Sequence, residues 1–291
     1  MMQLIFLSTL GWSQGNPPPP IVNGTETDRF IQTGALMYRF NDYADVFCSG
    51  TLVHKKWVVS AAHCIDALDE YSGYGAEMLF VLGDSLYSTE GVEDYDVITF
   101  WKQHPDYRPN QRLEHDIGVI ELENGFEDIE PIALGTQSPS GWSGQEIFYI
   151  GWGITRDNRS DSGKKRMASI EFYDYDEQFV YSIDPSGEQN LCSGDSGGSA
   201  LRIQPDGSYV LVGVNSFVFG VYENAACSGG GSGAARVDSN YEWLKGYIPD
   251  PEPLSYTVAS PSGCSHQGGW STFQAPLVLS MFSLLVVYRR R

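Results

Sequence analysis

The chain of 291 residues, 42% of them hydrophobic, can bury a sizeable core and is long enough for one large domain or two small ones. Its 13% aromatic content and 32 glycines suit a β-rich fold with many tight turns, and the long Ala/Leu/Glu/Lys runs of a helical bundle do not appear. A formal net charge of −19 repels phosphate backbones, so nucleic acid is not an expected partner and the acidity reads as a solubility feature.

In chain order, Met1 to Gly15 holds a short apolar run, Leu4–Leu10, followed by small and polar residues. This is the pattern of a secretory signal peptide, without the positive n-region. Asn16 and Pro17 to Pro20 form a stiff polyproline spacer that cannot join a sheet, so residues 1–20 read as signal peptide and short pro-segment. From Ile21 to about Pro249, short apolar runs are separated by Gly, Asn and Asp: Trp57–Val59, Met78–Leu82, Ile117–Leu122, Glu146–Ile150 and Tyr209–Val214. Such spacing predicts an all-β sandwich or barrel. A short helix is expected over Ser239–Tyr247, with Trp243 and Leu244 turned inward. Residues 250–263, rich in Pro and Ser, read as a linker. The stretch 264–291 carries Cys264, an apolar run at Ala275–Tyr288 and Arg289 to Arg291, the outline of a sorting or membrane-anchor segment with the β domain outside.

Five cysteines are too few for a disulfide-stapled miniprotein and lack the paired short spacings of a zinc site. Two disulfides with Cys264 left over is the simplest accounting, and it implies an oxidising compartment.

Three segments carry chemistry. Leu52 to Cys64 is an apolar strand running into small residues and then His63, with Cys48 upstream at a distance suited to a hairpin-scale disulfide that would fix the histidine loop. His115 to Leu122 brings a carboxylate, Asp116, into a buried strand. Cys192 to Ser199 contains Gly194-Asp195-Ser196-Gly197-Gly198, where glycines let the backbone approach a substrate carbonyl. Serine is a weak nucleophile at neutral pH, so acyl transfer needs a base of imidazole's strength and a carboxylate to orient it. His63, Asp116 and Ser196 supply those parts. His54, His104 and His115 read instead as polar surface or local hydrogen bonding, and strand alternation turns His115 away from its neighbour Asp116.

With these motifs in hand, Ile21–Pro249 resembles the trypsin/chymotrypsin family of serine proteases over roughly four-fifths of the chain. Ile21-Val22-Asn23-Gly24 is similar to the family's mature N-terminus, and Gly151-Trp152-Gly153 and Tyr241–Leu244 match further family positions. The resemblance implies two six-stranded antiparallel β-barrels with the active site between them, and a short C-terminal helix. It implies a serine endopeptidase that needs no cofactor, acts as a monomer on protein or peptide substrates, and meets protein inhibitors. Ser196 is then the nucleophile, His63 the general base and acid, and Asp116 its orienting carboxylate. The N–H groups of Gly194 and Ser196 become the oxyanion hole, Asp195 pairs with a freed Ile21 amino group, and Cys192–Cys227 braces the specificity pocket.

Departures from the family pattern carry their own expectations. Pro20 precedes Ile21, so an activator that cuts after Arg or Lys has no purchase there. Asn190 stands where trypsin-like members place an Asp, and neither Ser232 nor Gly233 offers an acid, which predicts cleavage after uncharged residues. Ser216-Phe217-Val218 is similar to the substrate-pairing strand, with Val218 narrowing an elastase-like pocket. Asp84, Glu90 and Glu93 resemble a calcium loop. The tail resembles bacterial sorting signals of the myxobacterial type, which implies processing at Cys264 and retention of a secreted enzyme at the cell surface. The rival readings are a protease-like binding module without catalysis and a surface adhesin; retention of all three triad residues favours the enzyme.

Overall fold

A computed structural model describes residues 21–249 apart from 111–112, 158, 221–226 and 228. All of them belong to one compact unit. Residues 1–20, read as signal peptide and pro-segment, residues 250–263, read as a linker, and the tail with Cys264 lie outside the described residues.

After a two-residue strand β1 (Thr25–Glu26), the first barrel is built from β2 (Thr33–Phe40), β3 (Tyr43–His54), β4 (Trp57–Ser60), β5 (Glu77–Gly83), β6 (Val92–Gln103) and β7 (Gly118–Leu122). Its strands close in the order β2-β3-β4-β7-β6-β5. The run Met78–Leu82 is buried throughout, as expected of a strand covered on both faces. A helix that the hydrophobic pattern did not predict, α1 (Ala62–Gly73), follows β4 and carries His63. It buries only Ala62, Cys64, Ile65 and Leu68, so little of its sequence carries an apolar stripe.

The second barrel comprises β9 (Glu146–Gly151), β10 (Arg166–Tyr175), β11 (Phe179–Ile183), β12 (Ser199–Ile203), β13 (Tyr209–Gly220) and β14 (Gly230–Arg236); the short β8 (Ala133–Leu134) pairs with β13, and β1 with β10. Pairing of β10 with both β9 and β11 closes the ring, so two six-stranded antiparallel barrels stand as the resemblance implied. The final helix, α2, spans Val237–Leu244, two residues earlier than expected. Leu244 is fully buried, while Trp243 is half-buried against the rings of His104 and Tyr247. Cys48–Cys64 and Cys192–Cys227 are both bonded.

Candidate active site

His63 enters through the helix that β4 feeds. Ala61, at the N-cap of α1, has no side-chain acceptor for the first helical turn, and Asp116, two residues before β7, performs that task. Its Oδ1 accepts the His63 backbone N–H at 2.9 Å and its Oδ2 accepts from His63 Nδ1 at 2.8 Å. One carboxylate therefore caps the helix, where the dipole favours negative charge, and sets the imidazole orientation. Asp116 is fully buried, and Ser216 Oγ donates a third bond to Oδ2 at 2.5 Å. With an ionised Asp116 accepting, Nδ1 carries the proton and Nε2 is left as the basic nitrogen. Burial of His63 opposes its charged form, but the Asp116 hydrogen bond and charge outweigh it and hold its pKa above the ordinary histidine value.

Ser196 stands on a turn locked to the first barrel. Its carbonyl accepts from Ser49 N–H at 2.8 Å. Gly197, at φ 79°, lies so close to Ser60 Oγ and Ser49 O that a Cβ would overlap both. Ser60 is two residues before Ala62, so this contact ties the serine turn to the strand that delivers His63. Gly194, at φ 92°, packs on Gly153, where a Cβ would stand 2.8 Å from Cα. A Cβ on Gly153 would in turn stand 2.6 Å from Asp195 N, which forbids a side chain. The Gly-Trp-Gly pattern is thus a close-approach requirement.

Asp195 is fully buried; Oδ1 accepts from Gly153 N–H at 2.8 Å and Oδ2 from Cys192 N–H at 2.9 Å. Burial pushes its pKa up to about 7, and the two N–H groups and the charge of Arg166 only partly counter that. Ile21 is fully buried in one cluster with Leu191, and Val22 bridges to Asn190. Asn215, which no motif indicated, holds Asp195 O at 3.1 Å and Ile150 O at 3.0 Å through its buried amide.

A cavity of about 140 Å³ opens beside the serine, lined by Leu191, Ser193, Ser196, Ser216, Phe217 and Val218. Asn190 is not among the lining residues; it is buried one residue before Leu191, with Ser232 Oγ donating to its Oδ1 at 2.5 Å. Ser216 thus has a second place in the site, as a donor to Asp116, which the sequence did not disclose. His54 Nδ1 accepts from Lys56 N–H, and His115 bonds Asn240 and stacks on His104. His115 does point away from Asp116, but through a turn at φ 53° ahead of β7 rather than by strand alternation.

Among the described residues, Asp84, Glu90 and Glu93 do not converge as a ligand set. The charges of Glu93, Asp84 and Asp28 act on the ammonium of Lys165, a fully buried side chain that donates to Phe30 O at 3.4 Å and whose pKa burial lowers to about 8. The His104, Asp106 and His115 group is no better placed for a metal. Its two imidazoles stack with centroids 4.4 Å apart and planes 8° apart, so their in-plane lone pairs run parallel.

The family model described as Trypsin matches residues 21–244. The chain belongs to the trypsin family. It is 28% identical to trypsin-1 of Salmo salar over 69% of this chain and 83% of that protein. It is likewise 28% identical to chymotrypsin-like elastase family member 1 of Bos taurus, over 68% of this chain and 79% of the relative. Granzyme M of Homo sapiens is 29% identical over 52% and 62%. Like other members of the trypsin family, the chain is a serine endopeptidase acting on protein substrates without a required cofactor, and its two disulfides fit an oxidising, extracellular setting.

Proposed function

We propose that this trypsin-family chain hydrolyses peptide bonds through an acyl-enzyme on Ser196. Ser196 Oγ attacks the carbonyl carbon as His63 Nε2 takes its proton. The tetrahedral oxyanion accepts from the N–H groups of Gly194 and Ser196, and collapse expels the amine, which receives the proton from His63. Water repeats the sequence to release the acid. Asp116 holds the imidazole and stabilises its cation. The observation that carries this reading is the double grip of Asp116 on His63, ring and backbone together.

The freed Ile21 amino group is the counter-charge for Asp195 in the mature enzyme, supported by the buried placement of both residues. Asn190 and Ser232 put no carboxylate near the pocket, and Val218 narrows it, which supports cleavage after uncharged residues. A monomer open to polypeptide substrates and to protein inhibitors, secreted and held at the cell surface by the segment around Cys264, completes the proposal.

A fluorophosphonate probe tests it. Labelling should be rapid, fall on Ser196 and vanish in Ser196→Ala; a wild-type enzyme with its Ile21 amine freed that resists the probe and cleaves no peptide refutes the reading.

A further inference from the structure

Arg166 occupies the first inward-facing position of β10, where the alternating burial of Arg166, Ala168, Ile170 and Phe172 calls for an apolar side chain. It is 3% exposed. A buried guanidinium is expensive unless a charge and hydrogen bonds compensate it. Nη1 donates to the carbonyls of Lys164 at 3.0 Å, Gly153 at 3.3 Å and Asp161 at 3.3 Å, while Nε is buried with no acceptor among the described residues. Nη2 lies 3.9 Å from Glu26, whose two oxygens are already held by Lys164 Nζ at 2.8 Å.

Asp195 and Asp161 are the other carboxylates whose charge acts on Arg166, and of these Asp195 is fully buried; neither forms a direct ion pair with it. Arg166 is directly across the ladder from Gly151, whose Cα lies against the Asp195 carboxylate. It also grips the carbonyl of Gly153, whose N–H donates to Asp195 Oδ1. The loop after β9 holds the serine turn by Ile154 N–H donating to Ser193 O at 2.8 Å.

We propose that Arg166 is a built-in counter-charge for Asp195, a positioning residue that keeps the Ser193–Ser196 turn competent while Ile21 is still joined to Pro20. Release of the Ile21 amine then adds to an activity already present instead of switching it on. The charge interaction between Arg166 and Asp195 acts in both directions, favouring the ionised form of each against burial. The sequence agrees: residues 1–20 contain no Lys or Arg at which a basic-directed activator could cut. This inference rests on the proposed role of Ser196 and its oxyanion hole.

The test compares two forms of the full chain. In one, Pro17–Pro20 stay ahead of Ile21; in the other, a specific cleavage sequence replaces those prolines, so that cutting frees the Ile21 amine. Fluorophosphonate labelling of Ser196 and kcat/KM on a peptide substrate are measured for wild type, Arg166→Gln and Arg166→Lys. The uncut wild type should react within about 10-fold of the freed form. Uncut Arg166→Gln should lose about 10²–10³-fold, the scale of a lost oxyanion donor. Uncut Arg166→Lys should recover most of that loss, and freed Arg166→Gln should react within about 10-fold of freed wild type, which a merely structural arginine would not allow. An inert uncut wild type beside an active freed form overturns the proposal, as does an uncut Arg166→Gln equal to wild type; the wild-type pair decides even should Arg166→Gln fail to fold. A freed wild type that does not label removes the role of Ser196 and this proposal with it.

Discussion

Gly197→Ala is the sharpest probe of how the two barrels deliver the serine. A Cβ there would overlap Ser60 Oγ and Ser49 O, two atoms joined by a buried hydrogen bond of 2.8 Å. Three costs follow. Holding alanine at φ 79° costs about 1 kcal/mol, displacing or breaking the Ser60 bond about 1–3 kcal/mol, and overlap with packed backbone about 1–3 kcal/mol. The sum, about 3–7 kcal/mol, is a large part of the stability of a typical domain. If the chain relaxes by moving the serine turn, a shift of about 1 Å at Ser196 costs about 10²-fold in rate. Gly207→Ala is the control: its φ is 86°, but no heavy atom lies within 4 Å of its added Cβ, so it should cost about 1 kcal/mol and leave kcat/KM unchanged. Urea unfolding of both variants with rates on one peptide substrate gives the comparison. If Gly197→Ala is no less stable and no slower than Gly207→Ala, the reasoning is wrong.

Three further outcomes are expected. Because His63 must be neutral to act as base and its pKa is raised, kcat/KM should rise with pH through a midpoint above the ordinary histidine value of about 6.5; a midpoint below it contradicts the Asp116 geometry. Stability from this group runs the other way, being full below about pH 6.5 and lost as pH rises through the folded pKa, which a melting series in pH reads. Ser216→Ala removes one of the donors to a buried carboxylate, so it should destabilise by about 1.5–3 kcal/mol and move the acid limb higher, since Asp116 then holds the His63 proton more tightly; an unmoved limb means Ser216 only lines the cavity. Cleavage-site profiling should show little cutting after Arg or Lys, and Asn190→Asp should raise it; a wild type that already prefers Arg refutes the pocket reading.

The parts legible in the sequence are those whose chemistry demands a residue type in a fixed local setting. Gly194 to Gly198 was readable because only glycine serves where positive φ and close backbone approach coincide. His63 was readable as an imidazole following an apolar strand, and Asp116 as a carboxylate entering a buried strand. Helix α1 escaped because four buried residues over 12 positions leave little periodic signal. Ser216 as a donor to Asp116, 100 residues away, and Asn215 beneath Asp195 left no local mark at all. The charge that Lys165 brings near Asp84 and Glu93 left no mark in the acidic loop, because it comes from a distant strand entry.

By itself, then, the sequence determined the reaction chemistry, the β architecture and the glycines that make the serine turn, since each follows from local sterics or from the requirements of acyl transfer. Only the tertiary structure decided which charges meet. Asp116 serves helix and imidazole at once, Lys165 is buried under the charge of Glu93 and Asp84, and Arg166 takes a core position on β10. A buried charge is tolerated only beside a partner, and the fold chooses that partner from far along the chain.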